Sequence, residues 1–280
     1  MSLTSAFETS GPRAVKNQNG GTSASSQWAS FSWLRVGQLA LVAVILLVIQ
    51  HAVDSGAVKQ IYLASPTQII AAFPRLLSQN NLLYHLSITL SEALLGFALA
   101  LSLGVATGIA MGLFSRVNTF FGPFLVAMMA IPKVTIIPLL TLYLGIGFSH
   151  KVFIVFLFGY FIFVFNTIAG IRQVDEKHLK VARAFGASRL QIITKVILPS
   201  AVPSIMAAVR LEAAMCLVAA LFAEIVASKA GLGNMLNRAV GVYDTASVFA
   251  LVVTITAIAL ITVSLINLLE KRVFLRWKFV

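Results

Sequence analysis

Residues 175–199 read DEKHLKVARAFGASRLQIITKVILP and form a hydrophilic stretch between two long apolar ones. Apolar side chains recur at helical spacing on both sides of Gly186, and Ser188 suits the N-cap of the second piece. We therefore predict two short amphipathic helices, here called the hairpin, that lie at the membrane surface and offer a face to a soluble partner. The apolar positions are Leu179, Ala182 and Phe185 in the first helix and Leu190, Ile193, Val196 and Ile197 in the second.

The composition of the whole chain indicates a membrane protein. Of its 280 residues, 59% are hydrophobic and only 11% are charged, and the mean hydropathy is +0.94. Because a soluble domain cannot bury so much apolar surface, we predict an all-α polytopic membrane protein. The formal net charge of +12 would suggest nucleic-acid binding in a soluble protein. In a membrane protein it indicates basic cytoplasmic loops.

Six apolar stretches are long enough to cross a membrane, and the hairpin lies between the fourth and the fifth. We predict spans at about residues 33–53, 85–114, 117–144, 151–171, 200–227 and 246–269, with a mixed polar connection at 54–84. The transmembrane domain is thus expected at 33–272. Residues 1–32 are rich in Ser, Gly, Asn and Thr and predict a flexible cytoplasmic tail, and residues 273–280 predict a basic one.

The distribution of basic residues predicts the orientation of the chain. Six spans place both termini on the same side of the membrane. If that side is the cytoplasm, the cytoplasmic segments carry 14 Lys and Arg residues and the outer segments carry five. Because basic residues are enriched in cytoplasmic loops, we expect the hairpin and both termini in the cytoplasm.

Small residues recur at every fourth position of the second predicted span. This spacing places them in one strip along a helix face, where the backbone of another helix can approach closely. Five in register are unlike a chance distribution, so the strip predicts a helix-packing contact. Its members are Gly96, Ala100, Gly104, Gly108 and Gly112.

The third predicted span is interrupted by prolines at three places. Proline within a span frees backbone carbonyl groups, which is tolerated only where protein or water can satisfy them. This span is therefore the one expected to line a path across the membrane. The interruptions are at Gly122-Pro123, Pro132-Lys133 and Pro138.

Charged residues within the predicted spans are costly unless they are paired or hydrated, so they are candidates for function. Lys133 beside Pro132 could attract an oxyanion transiently. Alternatively, Lys133 forms an ion pair with Glu92 or Glu224 that only holds helices together. Arg210 and Glu212 do not share a helix face, and we expect each to pair with another helix near the cytoplasmic end.

Catalytic chemistry has little support in the sequence. Four scattered histidines show no metal-ligand spacing, so we expect no metal site. The single cysteine, Cys216, excludes an intrachain disulfide. No phosphate-binding GxxxxGK[ST] sequence is present, and a source of energy would have to come from a partner.

The hairpin is similar to the signature of binding-protein-dependent ABC importer permeases, which reads Glu-Ala-Ala, three residues, Gly, nine residues and Ile-x-Leu-Pro. Here Gly186 is followed by nine residues and then by Val-Ile-Leu-Pro, whereas Lys-Val-Ala occupies the Glu-Ala-Ala positions. The resemblance extends from about Ser65 to Arg272 and is greatest to the nitrate, sulfonate and taurine branch. Further matching landmarks are Ser65-Pro66-Thr67, Gly96-Phe97, Ile131-Pro132-Lys133, Gly145-Ile146-Gly147, Ala223-Glu224 and Gly231-Leu232-Gly233.

The resemblance implies a type I importer permease of the inner membrane. Such subunits pair, commonly as homodimers, above two cytoplasmic ATPases that bind the ATP, and an outer binding protein delivers the solute. The permease itself would be no enzyme and would need no cofactor. The resemblance places the ATPase contact at Lys180, Ala182, Arg183, Phe185, Gly186, Ala187, Ser188, Leu198 and Pro199.

Two features depart from the family pattern. Lys180 is basic where the signature is acidic, and Glu92 stands near a position where relatives often have a basic residue. Candidates for the translocation path are Pro132, Lys133, Glu92 and Glu224. The alternative to an ATP-driven importer of a small anion is a secondary transporter or channel, although no internal repeat favours one.

Overall fold

The structure is a computed structural model that describes the backbone of residues 24–277 and the side chains of residues 33–272. Within this part of the chain every regular element is helical. The first 23 residues of the predicted N-terminal tail and the last three of the C-terminal tail lie outside the described residues. Residues 24–32, predicted to belong to the flexible tail, are already helical.

Contacts divide the chain into two units, residues 1–51 and 52–280. The first unit contains most of helix α1, Ala24–Asp54. From Trp33 onward α1 is long and apolar enough to cross a membrane, with a mean hydropathy of 2.2. This stretch agrees with the first predicted span.

The second unit begins with a helix that was not predicted. Helix α2, Pro66–Ser78, lies in the stretch interpreted as a polar connection. It starts with a capping box, in which Ser65 Oγ accepts a hydrogen bond from the backbone N–H of Gln68 at 3.3 Å. Proline at its first position has no N–H to lose there. Its buried residues Ala72 and Leu76 belong to one hydrophobic cluster with Leu82, Leu232 and Leu251.

Three long apolar helices form the core: α3 is Leu82–Leu113, α6 is Phe148–Arg172 and α9 is Leu198–Ala227. Helices α3 and α6 pack most closely, because the strip of small residues lies between them. A Cβ atom built on Gly108 would lie 2.5 Å from Thr167 Cβ and 2.8 Å from the carbonyl oxygen of Val164. Gly96, Gly104 and Gly112 meet α6 equally closely, and Ala100 is fully buried.

The third predicted span is a bent pair of helices. Helices α4, Ser115–Ala130, and α5, Lys133–Leu144, meet at 92°. The chain is extended at Ile131, since the residue before a proline avoids the helical region. Pro123 and Pro138 lie inside their helices without ending them, so only one of the three predicted interruptions breaks the span.

The hairpin consists of α7, Glu176–Ala184, and α8, Arg189–Ile192. The second arm does not stop at Pro199, because α8 continues through a π-helical segment, Ile193–Ile197, into α9. The backbone N–H of Leu198 bonds to the carbonyl of Ile193, five residues back. Pro199 then stands in the first turn of α9, where a missing N–H is tolerated.

The chain ends with a short helix α10, Leu232–Gly241, and a long helix α11, Thr245–Trp277. Five of the described helical stretches are long and apolar enough to cross a membrane, or up to six if α4 and α5 together form one span. The fold is therefore an all-α polytopic membrane fold.

Candidate translocation path and coupling hairpin

The hairpin turns at Gly186 in a Schellman motif. The N–H of Ala187 donates to the carbonyl of Ala182 at 3.0 Å, and the N–H of Gly186 donates to that of Arg183 at 2.9 Å. Gly186 has a φ of +75°, where a side chain is unfavourable. A Cβ atom there would meet nothing within 4 Å, so the backbone conformation, not a lack of space, requires glycine.

Both arms of the hairpin begin with side-chain caps. Asp175 Oδ1 accepts a hydrogen bond from the N–H of Lys177 at 2.8 Å. Ser188 forms a capping box with Gln191, in which the N–H of Ser188 donates to Gln191 Oε1 at 2.8 Å. These caps satisfy N–H groups that a helix start leaves free.

Apolar side chains around the turn are exposed. Phe185 is 88% exposed, and Val181 and Leu190 are also largely uncovered. Lys180 lies 3.7 Å from Glu176 on the same arm, with both side chains in solvent, so this ion pair contributes little to stability. Of the predicted contact residues, Lys180 to Ser188 surround the turn, whereas Leu198 and Pro199 are half-buried at the start of α9.

At the bend of the broken span, Lys133 is the first residue of α5. Its ammonium group lies 5.8 Å from the ring centre of Phe158 and 5.6 Å from that of Phe161, both on α6. Such contacts stabilise a cation. Neither Glu92 nor Glu224 is within ion-pair distance of Lys133, so the structure does not form the pairs considered as an alternative. Pro132 is exposed beside Lys133.

Glu92 and Glu224 belong to a separate buried network. Glu92, on α3, forms an ion pair with Lys151 in the first turn of α6, and the two side chains are 0% and 5% exposed. Lys151 Nζ also donates a hydrogen bond to Ser228 Oγ at 3.0 Å. The carboxylate and the ammonium group are thus removed from solvent together, which a buried charge requires.

Glu224 fixes the start of α10 in this network. Its Oε1 accepts a hydrogen bond from Thr89 Oγ1 at 2.7 Å, and its Oε2 accepts one from the N–H of Gly233 at 2.7 Å. Thr89 Oγ1 accepts in turn from the N–H of Leu232 at 2.9 Å. Because the first N–H groups of a helix lack partners within the helix, these side chains join α10 to α3 and α9. In this structure Glu92 and Glu224 are network members with no exposed surface.

A protein-family model described as "Binding-protein-dependent transport system inner membrane component" matches residues 100–275. The putative aliphatic sulfonates transport permease protein SsuC of Bacillus subtilis is 32% identical over 248 residues, which cover 89% of each chain. The chain belongs to this family. It is an ABC importer permease component of the inner membrane.

Other relatives are permeases with different named solutes. The riboflavin transport system permease protein RibX of Chloroflexus aurantiacus is 32% identical over 89% of this permease and 92% of its own length. The taurine transport system permease protein TauC of Escherichia coli is 28% identical over 85% and 88%. The MetNI methionine ABC transporter, solved in inward-facing conformations, shares the fold with a TM-score of 0.58 at 18% identity. The matched region covers 69% of this permease and 94% of the solved chain.

Several polar residues of the permease were not singled out from the sequence. Lys151, which begins the fourth predicted span and was counted with the basic residues of the outer side, lies in the first turn of α6. Thr89 and Ser228 are uncharged, and nothing in their local pattern marks them as partners of buried charges.

Arg210 pairs with Glu270 on α11, as expected for a charge that meets another helix. The same prediction is wrong for Glu212, which forms no ion pair among the described residues and is fully buried.

Proposed function

We propose that this permease imports a small anionic solute, such as a sulfonate, taurine, nitrate or bicarbonate, by alternating access. A separate ATPase drives the change through the hairpin. The observation that carries the proposal is the exposed apolar turn at Phe185, Val181 and Leu190, whose backbone is fixed by Gly186 and two capped arms. Exposed apolar surface on a rigid element is typical of a protein-docking site.

The helical backbone continues without a break from the hairpin into the membrane-spanning helix α9. Helix α8, the π-helical segment and α9 follow one another without a loop, so a displacement of the hairpin acts directly on a core helix. A flexible linker would absorb such a displacement. Closure of an ATPase dimer that holds the hairpin would therefore switch the permease between inward- and outward-facing states.

The proposed assembly contains a second permease subunit, which we infer to be a second copy of this chain. It also contains two cytoplasmic ATPase subunits and an outer substrate-binding protein. The ATPase binds the nucleotide, and the permease contributes no ATPase site or cofactor. Basic residues are concentrated in the hairpin and near the termini, which supports a cytoplasmic location for both termini.

The class of solute rests on charge. Relatives named for sulfonates and taurine suggest an anion, whereas a relative named for riboflavin is equally similar, so sequence identity alone does not decide the solute. Lys133 favours the anion, because it places an ammonium group at the bend of the broken span without an ion pair to a described carboxylate. Aliphatic sulfonates are the first solutes to test.

The experiment reconstitutes the permease with its ATPase and binding protein and compares Gly186→Leu with the wild type. Because the turn needs φ of +75°, we expect uptake and stimulated ATP hydrolysis to be lost while membrane insertion is retained. Gly37→Leu is the matched control, since a Cβ at Gly37 also meets nothing within 4 Å but Gly37 lies in α1 with ordinary φ. Normal uptake by Gly186→Leu would contradict the coupling role.

A second arm tests the alternative of a secondary transporter or channel. The purified permease is placed in liposomes alone, without the ATPase. We expect no accumulation of an aliphatic sulfonate under an ion gradient. Transport by the permease alone would overturn the proposal.

A further inference from the structure

Glu212 is a fully buried carboxylate near the midpoint of α9. Neither of its oxygen atoms has a hydrogen-bond partner among the described residues, and no described cation lies within 4 Å. The other two fully buried glutamates, Glu92 and Glu224, have an ion pair and two hydrogen bonds respectively. An unpaired carboxylate at this depth is costly, which points to a functional role.

The core leaves space for this carboxyl group at Gly159, near the midpoint of α6. A Cβ atom built on Gly159 would lie 3.0 Å from both Cγ and Cδ of Glu212. The same atom would lie 3.0 Å from Ala100 Cβ on α3. Any larger residue at 159 would push against the carboxyl group, so the three core helices together form a fitted position for Glu212.

The turn of α6 that contacts Glu212 also contacts Lys133. Gly159 faces the carboxyl group, and the rings of Phe158 and Phe161 face the ammonium group. Lys133 and Glu212 therefore lie against the same turn of α6, residues 158–161. Lys133 itself is half-buried and has only the two rings as close stabilising partners among the described residues.

The position of Lys133 gives this arrangement freedom to change. Lys133 follows directly on the 92° bend between α4 and α5. One turn further along α5, Ile137 is fully buried with Ile154 of α6 and Ala223 of α9, which fixes the face that α5 presents to those helices. Because Lys133 lies at the end of α5 nearest the bend, a change of the bend would move its ammonium group relative to the aromatic turn.

We propose that Glu212 is the resident counter-charge of Lys133 and competes with the transported anion for it. This inference rests on the proposed import of an anion. With the path empty, Glu212 stabilises the ammonium group across the aromatic turn. An arriving anion replaces that interaction, and the return of Lys133 to Glu212 favours release of the anion. Glu212 is thus a specificity-determining residue that keeps anion binding weak, as transport requires.

The first test is a double-mutant cycle on thermal unfolding of the detergent-purified transporter complex. Lys133→Met leaves the Glu212 charge without compensation, and we expect the Tm to fall by about 5 °C or more. Adding Glu212→Gln should restore at least half of that loss, and Lys133→Arg, which keeps the charge, should remain near the wild-type Tm. Independent, additive effects of Lys133→Met and Glu212→Gln would overturn the proposed pairing.

The second test measures binding of ethanesulfonate to the same complex through the rise in Tm with concentration. If Glu212 competes for Lys133, the Glu212→Gln variant should reach half-saturation at about tenfold lower ethanesulfonate than the wild type. Lys133→Met should show no saturable rise. A purely structural Glu212 would change the Tm without changing half-saturation, and that result would overturn the competition.

Arg210→Gln is the matched control. It removes a cation two residues from Glu212, together with its ion pair to Glu270, without touching Lys133. We expect unchanged half-saturation for ethanesulfonate. Wild-type uptake into reconstituted vesicles is measured in parallel: absence of ATP-dependent uptake contradicts the proposed function, whereas normal uptake with identical Glu212→Gln and wild-type binding contradicts only the competition.

Discussion

The buried face of α3 and the hairpin use the same kinds of residue for opposite reasons. On α3, Gly108 is needed because a Cβ atom would collide with Thr167 and the backbone of α6. In the hairpin, Gly186 has open space around it and is needed for its positive φ. Side chains beside the first glycine have their partners within the chain, and those beside the second are exposed.

This difference separates residues that hold the permease together from residues that act on a partner. A change on the α3 face should reduce the stability of the isolated subunit and lower transport only as a consequence. A change in the hairpin should leave stability intact and remove coupling. A measured result that departs from this division would show that the two regions are not independent.

The largest effect on stability is expected at the buried network that contains Glu92 and Lys151. Lys151→Met removes the ammonium group that pairs with Glu92 and leaves a buried carboxylate uncompensated. The loss of a single partner from a buried pair costs about 3–5 kcal/mol. Chemical unfolding in detergent measures the change in free energy of unfolding.

The control for this prediction is the double variant Lys151→Met/Glu92→Gln. It removes both charges, and we expect most of the lost stability to return. If Lys151→Met alone is as stable as the wild type, the ion pair does not stabilise the permease. That result would contradict the view that the α3 face holds the subunit together.

A somewhat smaller loss is expected in the middle of the same face. Gly108→Val would place a Cβ atom 2.5 Å from Thr167 Cβ, so α3 and α6 must move apart. Overpacking of this kind costs up to about 3 kcal/mol. The yield of monodisperse protein and the unfolding midpoint both report it.

Ala106→Val is the control for this substitution, because Ala106 lies on the exposed side of α3 two residues away. It adds the same type of side chain without meeting α6. Equal losses for Gly108→Val and Ala106→Val would mean that the contact with α6 does not explain the effect.

The elements that could be predicted from sequence depend on neighbouring residues. The long helices follow from runs of apolar residues, and the caps at Asp175 and Ser188 follow from bonds to residues two or three positions ahead. The small-residue repeat on α3 indicated a close helix contact, and the structure places that contact against α6. The identity of the partner helix could not be predicted, because the spacing of small residues describes only the helix that carries them.

The partners of the buried charges could not be predicted, because they join distant parts of the chain. Glu92 meets Lys151, and Glu224 meets Thr89, only after α3, α6 and α9 pack. The proline at position 199 is also a misleading local signal. Pro199 suggests the end of a helix, but the missing N–H falls in the first turn of α9 after a π-helical segment has shifted the bonding pattern.

The smallest effect on stability, with a large effect on function, is expected at Phe185. Phe185→Ala removes an 88% exposed ring from the hairpin turn, so the free energy of unfolding should change by no more than about 0.5 kcal/mol. If the ring docks on the ATPase, binding-protein-stimulated ATP hydrolysis and uptake should fall sharply. Phe124→Ala, at an exposed phenylalanine of α4 outside the hairpin, is the control. Wild-type ATP hydrolysis and uptake in Phe185→Ala would show that the ring is not part of the docking surface. A large loss of stability would instead show that the hairpin, like the α3 face, has its partners within the permease.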